Sequence, residues 1–358
     1  MRSRSRWSGV ALCAVLFGVA GQPAWADVVW DPASLQELYA PSGQAQGGEF
    51  YAYAPSVISD GADTDLWTCH NTQSGVIRDS IQYTRFTSGS MVTDQPVLSG
   101  SGSGWDSFHN CDPSVLRVNV AFGANTYTYA MFYLGNDLDA SAHNQVGVAF
   151  ANSLAGPWTR DPAPLIAFAG RETSQWGAGQ PSATTIDPNA GTVLLFWTEG
   201  YASTTTYRAE VDFSNPAGPV VGTRLPVTTT GLTGTDGSPD WLNNADLAYD
   251  PNRDLFWAIR EQHPYPADDP DYLSSSVQLA SIPGSSIWNG GGTWTVQGAI
   301  TPAISGFARN DNAGLVRTAY GTLADENSIS VVFTTSCGGC ANSLWTYALW
   351  QLSAPIPG

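Results

Sequence analysis

Four carboxylate side chains stand at the ends of strand-like segments in this 358-residue chain. Asp112 lies in FHNCDPSVLRV, and Glu199 follows the apolar run LLFWT. Asp246 lies in NNADLAY, and Glu261 lies in IREQH. Two carboxyl groups, one protonated and one ionised, can act together as general acid and general base. We therefore take Asp112 with one of Glu199, Asp246 or Glu261 as the candidate catalytic pair.

Strands must position these side chains, and the chain supplies them in five similar segments. Each segment opens with a short strand: YAPSVI at 53–58, CDPSVL at 111–116, GQPSAT at 179–184, NNADLA at 243–248 and DNAGLV at 311–316. A second apolar strand and a third follow, and most segments continue through a Gly or Trp turn into a fourth. This pattern predicts an all-β fold, a five-bladed β-propeller with four antiparallel strands per blade.

One domain from 27 to 358 holds all five predicted blades, because no linker or shift in composition divides that range. The blades start near 53, 111, 179, 243 and 311. We expect the N-terminal run from 27 to about 48 to pair with the last blade. Such pairing protects sheet edges that would otherwise be exposed.

Matched side chains of the five segments are expected to share one face of the ring. In an antiparallel blade the first strand leaves a face to which the second strand returns. The residues expected there as substrate-binding candidates are Trp105, His109, Trp176, Gln180, Trp241, Asn244, Arg260, Arg309, Asn312 and His70. Aromatic rings stack on sugars, and amides and arginines bond sugar hydroxyls, so the mixture predicts a carbohydrate ligand. For the tryptophans, packing between blades is the alternative.

The second segment resembles a known family. Its DPSV strand, the aromatic strand YAMFYLGN, the run VGVAFANS and the following GPW resemble a blade of the five-bladed propeller glycoside hydrolases. Family 43 and related furanosidases (arabinanases, arabinofuranosidases and β-xylosidases) are the comparison. The resemblance covers nearly all of the mature chain in outline. It implies hydrolysis of a furanoside or pentose-containing polysaccharide of the arabinan, arabinoxylan or arabinogalactan type.

The resemblance also implies an Asp base, a second Asp that tunes a pKa and a Glu acid on three successive blades. At the sister positions of Asp112, however, stand Ala54, Gln180, Asn244 and Asn312, so the triad is not carried over intact in either register. Only Asp112 matches by motif, and capping of the turn before its strand is its alternative role. A glycan-binding propeller without activity, or a lyase or transglycosylase on the same scaffold, is therefore the alternative function.

The first residues predict export. Arginines at positions 2, 4 and 6, an apolar stretch from 9 to 21 and the small residues AWA are typical of a signal peptide at 1–26, cleaved after Ala26. The apolar stretch is too short to span a membrane. We expect a secreted protein, extracellular or periplasmic.

Removal of the signal leaves an even number of cysteines, which in an oxidising compartment predicts disulfides. Cys69 ends a second strand of the first blade and Cys111 starts the first strand of the next, so the two are expected on one face as a bridge. Cys337 and Cys340 form CGGC, for which a local bridge is favoured over a redox or metal motif.

The net charge of the chain limits the classes of binding partner that are expected. The chain has no lysine and a formal net charge of −17, and a surface of that sign repels nucleic acid and anionic membranes. The four histidines form no spaced metal motif. We expect a monomer without a cofactor, and leave open a structural Ca²⁺ held by oxygen ligands in the central channel.

Overall fold

The computed structural model describes residues 27–201 and 203–357, and the predicted signal peptide lies outside them. In the described residues the regular secondary structure is almost entirely β-strand, as predicted. Its helical elements are two 3-10 turns (Gln44–Gln46 and Ser343–Thr346) and two short helices, α1 (Gly284–Asn289) and α2 (Pro302–Ser305). None of the helices in this part of the chain has the length and apolarity that a membrane crossing needs.

The strands form an N-terminal strand and five consecutive groups, here called units 1 to 5. The N-terminal strand is β1 (Asp31–Tyr39). Unit 1 contains β2 (Ala52–Asp60), β3 (Asp63–Asn71), β4 (Asp79–Thr87) and β5 (Ser90–Leu98). Unit 2 contains β6 (Asn110–Phe122), β7 (Asn125–Gly135), β8 (Gln145–Ala151) and β9 (Thr159–Arg160). Unit 3 contains β10 (Gly177–Asp187), β11 (Thr192–Gly200), β12 (Thr204–Asp212), β13 (Val220–Val221) and β14 (Leu225–Pro226).

The last two units complete the strand order. Unit 4 contains β15 (Asp246–Asp250), β16 (Leu255–Glu261), β17 (Val277–Pro283) and β18 (Thr295–Ile300). Unit 5 contains β19 (Arg309–Arg317), β20 (Ser328–Ser336) and β21 (Ala348–Pro355). Each unit begins within a few residues of one of the five repeated segments, so the repeats correspond to structural units.

Sequential strands within a unit pair antiparallel. Strand β1 pairs antiparallel with β21, with Asp31 opposite Ser353, and becomes the fourth strand of unit 5, as expected for the N-terminal run. The first strands of the units also contact one another in sequence: β2 with β6, β6 with β10, β10 with β15 and β15 with β19. Strand β19 in turn pairs with β2 in parallel, which joins units 5 and 1 in one eight-stranded sheet.

The hydrophobic core lies between adjacent units. Phe132 of unit 2 packs on Phe213 beside unit 3, and Phe196 of unit 3 packs edge-on against Phe256 of unit 4. Trp197 belongs to the cluster shared by units 2 and 3. Each large buried side chain of this kind stabilises the fold by roughly 1.5–3 kcal/mol. Units therefore depend on their neighbours for their cores.

Matched residues near the start of the five first strands adopt an unusual backbone. Ala54, Asp112, Gln180, Asn244 and Asn312 all have positive φ, between 37° and 53°. Asn and Asp tolerate this left-handed region better than most residues. A register shift against the second strand follows at this point in units 1, 2, 3 and 5. We call these five residues the αL ring.

Two residues further along, side chains link each unit to the next through hydrogen bonds. Ser56 Oγ accepts from Val115 N–H, Ser114 Oγ from Ala183 N–H, Ser182 Oγ from Leu247 N–H and Asp246 Oδ2 from Leu315 N–H, at 2.9–3.2 Å. The matched residue of unit 5 is Gly314. A Cβ there would lie 2.3 Å from the carbonyl oxygen of Pro55, so the direct pairing of β19 with β2 needs glycine.

Arg317, at the end of β19, is 1% exposed and lies among the side chains that make these hydrogen bonds between units. Its Nη1 lies 3.1 Å from Asp246 Oδ1 and donates to the carbonyl oxygen of Leu247. Its Nη2 donates to the hydroxyls of Ser56 and Ser114 at 3.5 and 3.4 Å. One guanidinium from unit 5 thus bonds units 1, 2 and 4.

We expect Arg317→Met to lower the free energy of unfolding by about 3–5 kcal/mol, because it leaves Asp246 buried without its partner charge. Urea denaturation measures the loss. Replacement of the exposed Arg171 by Met is the matched control and should change stability by no more than about 0.5 kcal/mol. Similar small losses in both variants would contradict the central role of Arg317.

Candidate functional site

A pocket of about 760 Å³ opens at the end of the units where first strands begin and second strands end. Its size suits a small ligand or one end of a longer one. Of the candidates named from the sequence, those that line it are His109, Asp112, Trp176, Gln180, Trp241, Asn244 and Asn312. The antiparallel order of the strands therefore brings these seven residues to one face.

Asp112 lies in the αL ring beneath this pocket, where its side chain is mostly covered. Its Oδ2 accepts a hydrogen bond from Gln180 N–H at 3.3 Å. Burial raises the pKa of Asp112 to about 7, and the negative charges of Asp79 and Glu261 contribute in the same direction. A carboxyl with this pKa holds its proton below neutral pH and can donate it to a bound substrate.

Asp79 is a second pocket carboxylate, at the start of β4. Its Oδ1 accepts from the Tyr51 hydroxyl at 2.7 Å, and its Oδ2 lies 2.9 Å from His109 Nδ1. The Tyr53 hydroxyl also hydrogen-bonds Asp79, and burial raises the pKa of Tyr53 well above its ordinary value. Sequence reasoning missed Asp79, although a third strand starts at the face where the second strand ends.

Glu261, one of the predicted carboxylates, is fully buried behind residues that line the pocket. Its carboxylate accepts from Asn243 Nδ2 at 3.1 Å, Asn312 N–H at 3.1 Å, Asn244 Nδ2 and the Tyr265 hydroxyl. This dense set of donors holds the side chain in one orientation.

Asp311 hydrogen-bonds Glu261 and lines the pocket. Burial first, and then the charge of Glu261, raises the pKa of Asp311 well above its ordinary value. Its Oδ1 accepts from Ser274 N–H at 2.9 Å. Asp311 therefore keeps its proton to higher pH than an ordinary carboxyl does, and with Glu261 it forms a second acidic group in the site.

A row of stacked rings leads from the rim toward Glu261. Trp241, which is 38% exposed, stacks on His263 with ring centroids 4.2 Å apart. His263 stacks in turn on Tyr265 at 4.5 Å. Asp240 orients the imidazole through a 2.9 Å contact with Nδ1. All three rings line the pocket, so the row offers an aromatic surface beside the carboxyl groups.

Two other predicted residues point away from the pocket because neighbouring side chains on a strand alternate. Thr198 and Gly200 line the pocket, whereas Glu199 between them bonds Trp197 Nε1 at 3.0 Å and Arg224 Nη1 at 2.7 Å. Alternation along β16 also places the side chains of Glu261 and Arg260 on opposite faces of the strand, so Arg260 points away from the pocket. Its guanidinium, which is fully buried, donates to Asp240 Oδ2 at 2.6 Å.

Asp246, the remaining predicted carboxylate, lines a second, smaller cavity together with the five residues of the αL ring. There it bonds Arg317, Ser182 and Leu315 N–H. Arg309 is buried against the carboxylate of Asp268.

Trp105 and His70 are likewise built into packed regions outside the pocket lining. The indole of Trp105 stacks on Tyr133 at 5.7 Å, so this tryptophan packs within the fold. His70 is buried beside Tyr39 and Phe50, and burial lowers its pKa.

Both predicted disulfides are present. Cys69 and Cys111 are bonded with their Cα atoms 4.9 Å apart, and Cys337 is bonded to Cys340. Within the described residues, the one cluster with metal-ligand spacing is Cys69, Cys111 and Asp112. Its two sulfurs are committed to each other, so this set does not fit a metal ion.

No family model and no curated protein matches the chain. Solved structures do match it. An α-L-arabinofuranosidase from Podospora anserina is 12% identical, with 94% of this chain and 98% of that chain covered and a TM-score of 0.57. A family 117 glycoside hydrolase from the marine bacterium Zobellia galactanivorans is 11% identical, with 93% and 91% covered and a TM-score of 0.59.

A third similar structure is an endo-arabinase from Bacteroides thetaiotaomicron, which is 11% identical, with 86% of this chain and 94% of that chain covered and a TM-score of 0.53. At these identities the likeness establishes a shared fold. The resemblance seen in the second repeated segment is thereby confirmed at the level of fold.

Asp112→Asn should be more stable than the wild type at pH 8. The pKa of Asp112 is about 7 in the folded protein and about 3.9 in an unfolded chain, so folding favours the protonated form. The contribution of the Asp112 carboxyl to the free energy of unfolding of the wild type therefore falls as pH rises from about 4 to about 7. Asparagine cannot ionise.

Urea denaturation across that pH range tests the expectation, with Asp187→Asn, at an exposed turn, as the matched control. The stability difference between Asp112→Asn and wild type should grow with pH and level off above about pH 7. A difference that does not change with pH would contradict the raised pKa.

Proposed function

We propose that this protein is a secreted glycoside hydrolase that cleaves a furanoside or pentose-containing polysaccharide of the arabinan, arabinoxylan or arabinogalactan type. The observation that carries the proposal is the pairing of Asp112, whose pKa is about 7, with the negatively charged Asp79 in a pocket that has an aromatic wall. The similar solved structures include an arabinofuranosidase and an endo-arabinase, which supports the substrate class.

The fold part of the proposal is a single five-bladed β-propeller from 27 to 358. Five units of matched strands support it, as do the sequential contacts of their first strands and the return contact of β19 to β2. The αL ring supports it as well, because one residue of each unit has the same backbone conformation at the same place. A single central arginine bonded to several units fits the same arrangement.

In the proposed reaction, Asp112 donates its proton to the oxygen of the leaving sugar as the glycosidic bond breaks. Asp79, on the attacking side, accepts a proton from the water that bonds to the anomeric carbon, and later releases that proton to solvent. Tyr51 and Tyr53 hold Asp79 in place, and Gln180 holds the Asp112 carboxyl. Hydrolysis adds one water across the bond, and Asp112 regains a proton from solvent.

The other wall of the pocket binds substrate in this proposal. The protonated Asp311 and the amides of Asn244 and Asn312 provide hydrogen-bonding groups for sugar hydroxyls. Trp241 provides an exposed aromatic face for the C–H surface of a sugar ring. Recognition and proton transfer therefore come from different units.

Asp112→Asn should lower kcat on arabinan, arabinoxylan or arabinogalactan roughly 10²–10⁴-fold, because the amide cannot donate the proton. In the wild type, kcat should decline as pH rises through about 7. Reducing-sugar release across pH measures both, and Asp187→Asn is the matched control. Full activity of Asp112→Asn would remove this residue from the chemistry.

A glycan-binding propeller without activity is the second candidate, favoured by Ala54, Gln180 and Asn244 at positions where the family resemblance implies carboxylates. Binding of these polysaccharides without release of products would establish it. Product masses distinguish a lyase or a transglycosylase from a hydrolase. An unsaturated sugar end indicates a lyase, and products longer than the substrate indicate a transglycosylase.

Trp241→Ala should raise KM roughly tenfold and leave kcat nearly unchanged, because loss of one aromatic contact removes about 1–1.5 kcal/mol of ground-state binding. Trp288→Ala is the matched control, since Trp288 is exposed to a similar extent and lies outside the pocket lining. Equal KM values in the two variants would show that Trp241 does not contact the sugar.

A further inference from the structure

Hydrogen bonds join several residues of the αL ring to the backbone of the next unit. Two ring side chains do so directly: Asp112 Oδ2 accepts from Gln180 N–H, and Gln180 Oε1 accepts from Asn244 N–H. From unit 4 to unit 5 the link runs through Glu261, which bonds both Asn244 Nδ2 and Asn312 N–H. These links fix the backbone at the floor of the pocket.

The link from unit 1 to unit 2 lacks a side chain of this kind, because unit 1 has Ala54. A sulfur takes its place. The backbone N–H of Asp112 points at Cys69 Sγ, 3.0 Å away. Sulfur accepts hydrogen bonds weakly, but the disulfide to Cys111 holds this atom where an amide or carboxylate oxygen would otherwise lie.

The same disulfide also covers the acid. Asp112 Oδ1 lies 3.4 Å from Cys111 Sγ and 3.9 Å from Cys69 Sγ. Two apolar sulfur atoms on one side of the carboxyl exclude water from it, and exclusion of water favours the protonated form. The bridge therefore touches Asp112 twice, at its backbone N–H and at its side chain.

We propose that the Cys69–Cys111 disulfide positions Asp112 for proton donation, with Cys69 Sγ as the acceptor that Ala54 does not supply. The inference rests on the proposed function, since it assigns these cysteines a role in the proposed reaction. It goes beyond a stabilising crosslink, because a crosslink alone has no consequence for the protonation of Asp112.

The test compares variants that all lack the bridge and differ in the acceptor. Cys69→Ala/Cys111→Ala removes both the bridge and the sulfur acceptor. The addition of Ala54→Gln to that variant restores an acceptor from the ring position itself, as Gln180 does one unit on. Cys69→Ser/Cys111→Ala keeps a hydroxyl at position 69. Cys337→Ala/Cys340→Ala removes the other disulfide and is the matched control.

We expect the double alanine variant to lose kcat roughly tenfold to a hundredfold, as misplacement of a catalytic group does. Its KM should change little, and its alkaline pH limb should move to lower pH. Ala54→Gln in that background should recover most of kcat, and the control should keep wild-type kcat. Unchanged kcat and an unchanged pH profile in the folded double alanine variant would overturn the proposal. The proposal would also be overturned if neither Ala54→Gln in that background nor the serine variant had a higher kcat than the double alanine variant.

If the double alanine variant does not fold, the serine variant decides the matter. A lowered kcat with the alkaline limb moved to lower pH supports the proposal, because the hydroxyl replaces the acceptor but not the sulfur cover. Wild-type kcat and pH profile overturn it, because Asp112 would then be positioned without the disulfide. Carbon-13 NMR titration of the Asp112 carboxyl, assigned with Asp112→Asn, provides a readout that needs no substrate. Its pKa should fall from about 7 in the double alanine variant, which lacks the sulfur cover, and stay near that value in the Cys337→Ala/Cys340→Ala control. An NMR shift of this kind without hydrolysis of any glycan would support the positioning and refute the proposed function.

Discussion

The arrangement of the units depends on one buried guanidinium. Arg317 belongs to unit 5, yet it bonds the hydroxyls of Ser56 and Ser114, the carboxylate of Asp246 and the carbonyl of Leu247. Removing such a charge from water is costly, and only several well-placed acceptors offset that cost. The acceptors come from different units, so the arginine can be satisfied only when those units lie around it. The floor of the pocket is built on this arrangement.

In the αL ring, residues that hold neighbouring units together occupy the positions at which the family resemblance implies catalytic groups. Gln180 and Asn244 stand where the family resemblance implies carboxylates. In this structure Gln180 accepts from Asn244 N–H and so joins units 3 and 4, and Asn244 donates to Glu261, which bonds Asn312 N–H of unit 5. Asp112 does both: it accepts from Gln180 N–H and keeps a raised pKa. The acidic groups near it, Asp79 and Glu261, come from the start of a third strand and the end of a second strand. A site can thus retain paired carboxyl groups although the first strands lack them.

The sequence was informative where periodic patterns were strong. Five repeated openings predicted the five units, and antiparallel order placed Asp112 and Cys111 on one face with the pocket residues. Glu199 was harder to place, because a strand end predicts a face of the sheet but not which of two alternating directions a side chain takes. Asp79 stayed hidden because only first and second strands were compared. Arg317 stayed hidden because its acceptors lie up to 261 residues away in sequence.

The pairing of β1 with β21 has a consequence for how the molecule is made. Asp31 stands opposite Ser353, so the strand that emerges first from the ribosome or from a translocation pore meets its partner last. Until then β1 is a lone strand with free hydrogen-bonding groups, and the edge of β20 lacks its neighbour. Contacts of such long sequence separation form slowly. Completion of the sheet thus requires β21, and a product truncated before it would leave β1 and the edge of β20 unpaired and open to aggregation.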